Sequence, residues 1–344
     1  MAFTPDNKIP PAGTTNEKVS VIVCAHNQLH NLQILLPKLL KQDYPVYEII
    51  IVNDRSTDGT KPWLEKQSYP RSKIRTLDIT TVTKGQNPKK HALVRGVEAA
   101  NYQLLLLTDA DCYPKSNNWI RLMVQQYKPG INIVLGYSGY TPRPGLLNKL
   151  IRYETLVTAI QYLSRALAKK PYMGVGRNLS YKKAFFQHTG GLKGLMHLTG
   201  GDDDLFVNRN ANGENTAVCL EKDSVVMSYP KLSWDAYFKQ KIRHLSVGKY
   251  YKKADLLILG IFSVTHIIFW SSLVSLLVTQ TMVGWVVAGF IIRQLSLSWV
   301  VEQSSRKLGE HIGICYVPLL DFLYSLFYLL TGLSALVTKK VDWH

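Results

Sequence analysis

Four consecutive leucines, Leu104 to Leu107, are followed by Thr108, Asp109, Ala110 and Asp111. An uninterrupted apolar run of this length indicates a strand buried on both faces, as in a parallel sheet that helices cover. Two carboxylates then stand one residue apart where the strand ends. Because carboxylate oxygens suit a hard divalent cation that takes further ligands from substrate phosphates, the stretch predicts a metal site for a phosphorylated substrate. A surface turn is the alternative.

Two earlier stretches have the length and composition of strands in the same sheet. Val19–Ala25 and Tyr47–Asp54 are apolar, and a segment of helical character at 29–41 separates them. Strand, helix and strand in this order form a βαβ unit with parallel strands. Ligands of such sheets bind beyond the carboxyl ends of the strands. The residues expected to meet in this crevice are Ala25, Asp54, Asp109 and Asp111.

No glycine-rich phosphate loop of the Rossmann or P-loop type occurs, so phosphate has to be held by other groups. The segment 84–90 contains Gly85, Lys89 and Lys90 directly before a predicted helix that continues to residue 100. Backbone amides at a helix start, together with lysines, form a suitable contact for a diphosphate. A solvated basic turn is the alternative for this segment.

A third acidic group follows the glycines Gly200 and Gly201. Asp202, Asp203 and Asp204 stand together at the start of a predicted helix. Acidic residues at that position complement the helix dipole, but three exceed what capping needs. Because crowded carboxylates raise one another's pKa, the cluster is a candidate for a general base.

The last third of the chain is apolar. Three runs, at 256–278, 282–301 and 315–337, approach or exceed the roughly 20 residues that a membrane-spanning helix needs. The first seventeen residues contain no apolar core of the signal-peptide type, so we expect the preceding domain to stay in the cytoplasm, with the chain in a bacterial inner membrane.

Much of the formal charge of +17 flanks the apolar runs. This distribution fits the anionic cytoplasmic face of a membrane, and no basic-aromatic pattern points to nucleic acid. A further basic segment at 146–167 has apolar residues at helical spacing, which indicates either an amphipathic helix on the membrane surface or a helix that covers the core. The basic residues before the first apolar run are Lys239, Lys241, Arg243, Lys249, Lys252 and Lys253.

Taken together, these motifs resemble the family 2 glycosyltransferases of GT-A fold, particularly the membrane-attached branch with ceramide glucosyltransferases and processive polysaccharide synthases. The implied architecture is a Rossmann-like α/β domain for nucleotide-diphospho-sugar transfer, followed by C-terminal membrane helices. The expected segments are a flexible N-terminus at 1–18, a catalytic domain at 19–235, an interfacial element at 236–253, membrane helices at 254–338 and a tail at 339–344.

The resemblance also implies roles for individual residues. Ala25, Asp54 and Gly85 would line the nucleotide, with Lys89 near the diphosphate. Asp109 would face the nucleotide sugar, expected to be a UDP-sugar, and Asp111 would hold Mg²⁺ or Mn²⁺. The catalytic base would be Asp202 or Asp203, depending on how the cluster is aligned with the family's Glu-Asp motif. The segment 240–244 matches the family's Gln-x-x-Arg-Trp motif near diphosphate and acceptor, through Gln240, Arg243 and His244.

The departures from the family pattern bear on the substrate. His244 replaces the tryptophan that helps to form the acceptor platform of processive synthases. A single transfer, with inversion, to a lipid or lipid-linked acceptor is therefore the preferred function, and a processive β-linked polysaccharide synthase is the alternative. A nucleotidyltransferase would not need the acidic cluster and the apolar tail together. A catalytically inactive scaffold would be free to lose its acidic residues, and this sequence keeps them. A transporter is disfavoured because the apolar runs show no internal repeat.

The sequence gives two readings of the membrane topology. Arg306 and Lys307 follow the second run, and the loop at 279–281 is uncharged, which places that loop outside and the later residues inside. A full crossing by the third run would place Lys339 and Lys340 outside. We expect instead that one run is re-entrant or interfacial and that the carboxyl terminus is cytoplasmic.

Overall fold

The computed structural model describes residues 17–67 and 73–337. This part of the chain forms two compact units. One contains the residues up to Thr141 and Gln161–Tyr229, and the other contains Pro142–Ile160 and the residues from Pro230 onward. The tail at 339–344, with Lys339 and Lys340, lies outside the described residues.

Ten strands occur in the described residues. They are β1 Val19–Ala25, β2 Tyr47–Asp54, β3 Ile74–Ile79, β4 Leu104–Asp109, β5 Cys112–Pro114, β6 Ile133–Leu135, β7 Ser138–Tyr140, β8 Leu179–Lys182, β9 Thr216–Val218 and β10 Val226–Ser228. The α-helices are α1 Leu29–Leu40, α2 Thr60–Lys66, α3 Pro88–Ala99, α4 Trp119–Val124, α5 Leu146–Leu167, α6 Lys183–His188, α7 Asp204–Asn210, α8 Trp234–Gly248, α9 Lys253–Val278, α10 Val283–Lys307 and α11 Val317–Val337.

The main sheet has seven strands in the order β3-β2-β1-β4-β8-β6-β9. β1 pairs in parallel with β2 and with β4, and β2 pairs in parallel with β3. The two central strands are buried along nearly their whole length because helices cover both faces, as their apolar sequences predict. β8 pairs antiparallel with both β4 and β6, which makes the sheet mixed. The predicted α/β class is confirmed.

The chain leaves the main sheet at the Asp-x-Asp segment. β4 ends at Asp109, and β5 begins at Cys112 in a second sheet of three strands in the order β5-β10-β7. Asp109, Ala110 and Asp111 therefore lie at the junction of the two sheets. A junction of this kind at the carboxyl end of a parallel strand is where ligands of open α/β sheets bind.

The second unit contains the apolar helices. α9, α10 and the segment Ile314–Ala335 are each long and apolar enough to cross a membrane, as predicted. They also share one buried polar group. Asp321 of α11 accepts hydrogen bonds from Arg293 of α10 at 2.6 Å and from Trp270 of α9 at 3.2 Å. His266 of α9 lies 3.2 Å from the same carboxylate.

Helix α5 forms over the predicted residues, but its apolar stripe does not face outward. Leu150, Tyr153 and Leu163 are at most 1% exposed. The hydroxyl of Tyr153 donates to Asp321 at 3.2 Å. The alternative of a helix that covers the core therefore applies, and the idea that this stripe lies on the membrane surface is wrong. Periodicity identified the apolar face but not the surface that covers it.

Candidate active site

Two loops that follow β1 and β2 hold each other through side chains. The carbonyl oxygen of the Asn27 side chain accepts from the backbone N–H of Thr57 at 2.8 Å, while the backbone N–H of Asn27 donates to Ser56 at 3.0 Å. Asn27 has a φ of 53°, a conformation that asparagine tolerates better than most residues. Asp58 accepts from the backbone N–H of Leu29, the first residue of α1, at 2.9 Å. These contacts fix the carboxyl ends of β1 and β2 side by side.

The predicted nucleotide-binding residues lie near this edge of the sheet in different environments. Ala25 ends β1 and is buried. Asp54 ends β2, is 1% exposed and accepts from Nε of Arg55 at 2.7 Å. Gly85 lies in an exposed turn with a φ of 85°, a conformation that glycine adopts without strain. Their contact with a nucleotide stays a prediction.

Asp109 and Asp111 come together as the sequence predicted. One ligand atom from each of Asp109, Asp111 and Cys112 lies within 4.8 Å of the others. Burial, followed by the charges of the two aspartates, raises the pKa of the Cys112 thiol well above its usual range. That thiol is therefore neutral at pH 7 and a poor ligand for a cation. The available donors are two carboxylates, which are the groups that Mg²⁺ and Mn²⁺ favour.

Lys89 connects Asp109, one of the two candidate metal ligands, to the acidic cluster. Its Nζ lies 3.1 Å from Asp109 and 3.1 Å from Asp202. Both contacts are on one side chain at the start of α3, which Asn87 caps by accepting from the N–H of Lys90. The bridge brings together two motifs separated by 93 positions in the sequence.

The expectation that Lys90 helps to hold a diphosphate is wrong. Its side chain is fully buried and its Nζ donates to the backbone carbonyls of Leu195 and Leu198, at 2.6 and 3.0 Å. Successive residues of a helix point about 100° apart, so only one of two adjacent lysines can face the crevice. Through these two hydrogen bonds, Lys90 instead stabilises the loop that precedes the acidic cluster.

Asp203 serves as the N-cap of α7. Its Oδ1 accepts from the N–H of Asp204 at 2.8 Å, and its Oδ2 accepts from the N–H of Gly176 at 2.5 Å. Gly176 permits this approach because a Cβ there would lie 3.1 Å from Oδ2 of Asp203. Both oxygens of Asp203 are therefore engaged by backbone groups, a role that fits a structural cap.

Asp202 has a different environment, although it is also largely buried. Burial disfavours its charged form, but the charge of Lys89 and its hydrogen bond outweigh that effect and lower the pKa of Asp202. Burial and then the charge of Asp202 raise the pKa of Asp203. Lys89 thus keeps Asp202 ionised, and the same side chain contacts Asp109.

A small pocket joins these groups within the first unit. Asp109, Asp202, Asp203 and Lys89 line it together with Thr108, whose buried hydroxyl has no hydrogen-bond partner among the described residues. The remaining lining residues are Ile22, Cys24, Leu93, Leu107 and Gly176.

The sequence reasoning missed one charged residue in this region, Arg177. It lies on the 3₁₀ turn Gly176–Asn178, and its guanidinium carbon lies 4.6 Å from the centre of the Tyr140 ring. The only signal available was a single basic residue in the stretch of small residues at 173–181.

The Gln-x-x-Arg residues lie on α8, in the second compact unit. Gln240 and Arg243 are partly exposed, and His244 is exposed. Their predicted positions near the diphosphate and the acceptor stay predictions.

Part of the chain is similar in sequence to known proteins. Residues 20–189 match the model of glycosyl transferase family 2. The chain is 26% identical over 149 residues to a poly-beta-1,6-N-acetyl-D-glucosamine synthase of Staphylococcus epidermidis, a match that covers 42% of this chain and 35% of the synthase. It is 29% identical over 126 residues to glycosyltransferase AglE of Haloferax volcanii, which covers 36% of this chain and 40% of AglE. The matches thus span well under half of each relative.

A solved structure resembles the chain over a longer range. The mannosyltransferase PcManGT from Pyrobaculum calidifontis, in complex with GDP-Man and Mn²⁺, has a TM-score of 0.62 at 17% identity, with 98% of this chain and 92% of that chain covered. At this identity the likeness establishes the fold, and the expected GT-A architecture is confirmed. Residues 20–189, which match the family model, therefore form a family 2 glycosyltransferase domain.

Proposed function

We propose that the protein is an inverting, metal-dependent glycosyltransferase that moves a sugar from a nucleotide sugar to a lipid or lipid-linked acceptor at a membrane. The observation that carries this proposal is the bridge from Asp109 through Lys89 to Asp202. This bridge joins a carboxylate suited to binding a metal and its donor, Asp109, to an ionised carboxylate suited to removing a proton, Asp202. Both groups are needed for a direct displacement at the sugar's anomeric carbon.

The donor side of the site is formed by the ends of the parallel strands. Ala25, Asp54 and Gly85 are the proposed contacts to the nucleoside, and Lys89 and Asp109 the contacts to the diphosphate and sugar. Asp109 and Asp111 would hold Mg²⁺ or Mn²⁺, which stabilises charge on the departing nucleoside diphosphate. A UDP-sugar is the expected donor. A GDP-sugar is the alternative, because PcManGT was solved with GDP-Man.

Asp202 is the proposed catalytic base. Its neighbour Asp203 has both carboxylate oxygens occupied by backbone N–H groups, whereas Asp202 forms an ion pair with the side chain of Lys89. A carboxylate that is ionised and released from one ion pair can accept the proton of an attacking hydroxyl. One displacement of this kind inverts the configuration, so an α-linked donor gives a β-glycoside.

The membrane setting of the acceptor rests on the helices of the second unit. Three helical segments have the length and composition of membrane spans, and α9 exposes large apolar side chains such as Leu257 and Val264. A catalytic domain attached to such helices meets its acceptor at the membrane surface. We propose that this surface is cytoplasmic and belongs to a bacterial inner membrane. Gln240, Arg243 and His244 are the proposed contacts on the acceptor side.

A processive polysaccharide synthase is the second candidate. The similarity to the Staphylococcus epidermidis synthase favours it, and the replacement of the motif's tryptophan by His244 disfavours it. Product length decides between the two candidates, because a processive enzyme releases long chains even when most acceptors remain unused.

The proposal is tested with the full chain in detergent, a panel of UDP- and GDP-sugars, and membrane lipids as acceptors. Products are identified by mass spectrometry, with Mn²⁺, with Mg²⁺ and with EDTA. We expect a single sugar on a lipid in the presence of metal, and no transfer in EDTA. Transfer only to soluble sugars would contradict the lipid acceptor, and undiminished transfer in EDTA would contradict metal dependence.

A substitution tests the metal carboxylates directly. Asp111→Asn should weaken Mn²⁺ binding in the presence of the nucleoside diphosphate and lower turnover by roughly 100-fold or more, since metal stabilisation of a leaving group is worth several kcal/mol. Mn²⁺ binding is read by electron paramagnetic resonance, independently of activity. The matched control is Asp235→Asn, an exposed carboxylate on α8 that should leave both measurements unchanged.

A further inference from the structure

We propose that Arg177 binds the diphosphate of the donor, as a second cation of the site besides Lys89. The inference rests on the proposed function and assigns to it a residue for which the sequence motifs gave no role. Three features of the structure support it: an unused hydrogen-bond donor, a rigid support, and the carboxylates beside the guanidinium.

The first feature is the unused donor. Among the described residues, Nη1 of Arg177 is buried and has no hydrogen-bond partner. A buried guanidinium nitrogen without an acceptor is costly, because a charged group has lost water without a replacement. A phosphate oxygen is the kind of acceptor that a guanidinium pairs with best.

The second feature is the rigid support beneath the residue. Asn178, the next residue, is fully buried and donates from Nδ2 to the carbonyls of Tyr137 and Ser224, at 2.7 and 2.9 Å. Its Oδ1 accepts from Nε1 of Trp119 at 2.9 Å. These bonds fix the 3₁₀ turn that carries Arg177. The guanidinium carbon lies 4.6 Å from the centre of the Tyr140 ring, a cation–π contact that does not use the hydrogen-bond donor of Nη1.

The third feature is the position of the guanidinium. Burial works against its charge, but Tyr140, Cys112, Asp109 and Asp111 outweigh that effect and raise the pKa of Arg177. Gly176, the residue before Arg177, lines the pocket together with Asp109 and Lys89, so the turn that carries Arg177 borders the carboxylates proposed to hold the metal. No hydrogen bond joins Arg177 to either of them among the described residues, so its donors are not consumed by the aspartates. A diphosphate bound through a metal on Asp109 and Asp111 would lie within reach of such a cation.

A phosphate group on the acceptor is the alternative binding partner for the Arg177 guanidinium. We assign the donor diphosphate because the neighbours of Arg177 are the metal carboxylates, where the donor is expected. The two sources are distinguished by separate binding measurements on donor nucleotide and acceptor.

The test is titration of the full chain in detergent with UDP and GDP in the presence of Mn²⁺, followed by calorimetry. Arg177→Gln should weaken binding of the nucleoside diphosphate by roughly 10-fold or more, as expected for the loss of a hydrogen bond to a charged group. The corresponding nucleoside monophosphate should be affected less. Arg177→Lys keeps the charge but loses the planar fork and should give an intermediate affinity. Arg95→Gln, at an exposed position on α3, is the matched control and should bind like the unchanged protein.

The outcomes separate this inference from the proposed function. If the unchanged protein binds neither UDP nor GDP, the proposed function fails whatever Arg177 does. If it binds one of them and Arg177→Gln binds equally well, only this inference fails. An effect confined to the KM of a phosphorylated acceptor would assign Arg177 to the acceptor and overturn the proposal. Failure of both the Gln and Lys variants to fold would assign the residue to the fold and overturn it as well.

Discussion

At the scale of single residues, the three adjacent acids Asp202, Asp203 and Asp204 have different tasks. Asp203 is an N-cap with both oxygens bonded to backbone N–H groups. Asp202 faces Lys89 and the pocket. The sequence allowed two alignments of the cluster with the family's motif. Neither alignment could show which of the carboxylates accepts hydrogen bonds from backbone N–H groups. The hydrogen bonds favour Asp202 as the base.

The first prediction contrasts these acids. Asp202→Asn should reduce transfer by about 10²- to 10⁴-fold, as removal of a general base does, while leaving binding of the donor largely intact. Asp203→Asn retains one acceptor oxygen and cannot serve both N–H groups. It should therefore cost about 1–3 kcal/mol of stability with a smaller effect on transfer.

The measurements are single-turnover transfer rates, donor affinity by calorimetry, and thermal unfolding of each variant. Asp204→Asn is the control within the same cluster and should transfer at a near-normal rate. Loss of transfer in Asp203→Asn, with normal transfer in Asp202→Asn, would reverse the assignment. Near-normal transfer in all three variants would place the base outside this cluster.

Some site residues were predictable and others were not, for a physical reason. Asp109 and Asp111 could be located because a buried leucine strand leads directly to them. Lys89 and Lys90 were indistinguishable in the sequence, since adjacency does not reveal which helix face meets the crevice. Arg177 could not be identified from a sequence pattern, because its proposed role depends on neighbours that are distant in sequence, Tyr140, Asp109 and Asp111.

At the scale of elements, residues at the start of α3 contact both the candidate site and the loop that precedes the acidic cluster. Lys89 holds Asp109 and Asp202, while Lys90 holds the carbonyls of Leu195 and Leu198. The N–H of Asn87 donates to the carbonyl of Met196 at 2.6 Å. The loop leads to Gly200 and Gly201, both in the left-handed region with φ of 90° and 81°. The start of one helix therefore positions both the proposed metal ligand Asp109 and the loop that leads to the proposed base.

The second prediction concerns the pH dependence of the Lys90 contact. Burial is the main cause that lowers the pKa of Lys90 to about 8, below the value of about 10.4 of an unfolded lysine. Between these values the unfolded chain binds more protons than the folded chain, so the contribution of Lys90 to stability rises with pH. At pH 7 both states are protonated and this gain is absent.

The comparison uses Lys90→Met, which keeps the length of the side chain without a titrating group. The stability of the unchanged protein relative to this variant should increase from pH 7.5 to 9.5, by up to about 1 kcal/mol per pH unit. Unfolding is measured by denaturant titration at each pH. Lys193→Met, at an exposed lysine of the same loop, should parallel the unchanged protein. Parallel curves for Lys90→Met would show that burial does not depress this pKa.

Element prediction succeeded where apolar runs were long. β1 and β2 have the predicted bounds, and the three apolar runs form helices. The sheet β5-β10-β7 was not predicted, because strands of three residues are too short for an alternating pattern. Its pairing joins Cys112–Pro114 to Val226–Ser228, which are more than a hundred positions apart. Such a sheet depends on tertiary contacts that local sequence does not encode.

At the scale of the whole molecule, the membrane helices have unequal relations to the rest of their unit. α9 and α10 are connected by four residues, 279–282, and contact each other as a hairpin. Lys253 begins α9, and Arg306 and Lys307 end α10, so positive charge marks the open end of the hairpin. By the positive-inside rule that end is expected in the cytoplasm.

α11 begins beside the middle of this hairpin. Asp321, in the second turn of α11, bonds Arg293, which lies about 15 Å along α10 from Val283 at 1.5 Å per residue. Further along α11, the ring of Phe327 stacks on Tyr237 of α8 at 5.0 Å. α5 and α8, which contact α11 through Tyr153 and Tyr237, are not among the candidate spans of the described residues. The early turns of α11 are therefore occupied by protein on one side.

The third prediction follows for the topology of the chain. We expect α9 and α10 to enter the membrane as a pair and α11 not to cross it fully, because the buried face of α11 includes Asp321, Ser325 and Thr331 and packs against α5 and α8. Single cysteines are introduced as Gln280→Cys at the hairpin tip and as Lys340→Cys, in a Cys315→Ser background that removes the exposed native thiol. A membrane-impermeant maleimide is then applied to intact cells and to permeabilised cells. Gln280→Cys should react in intact cells, and Lys340→Cys only after permeabilisation, while the Cys315→Ser background alone controls for the remaining native thiols. Labelling of Lys340→Cys in intact cells would show that α11 crosses fully, and protection of both positions until permeabilisation would show that the hairpin is re-entrant.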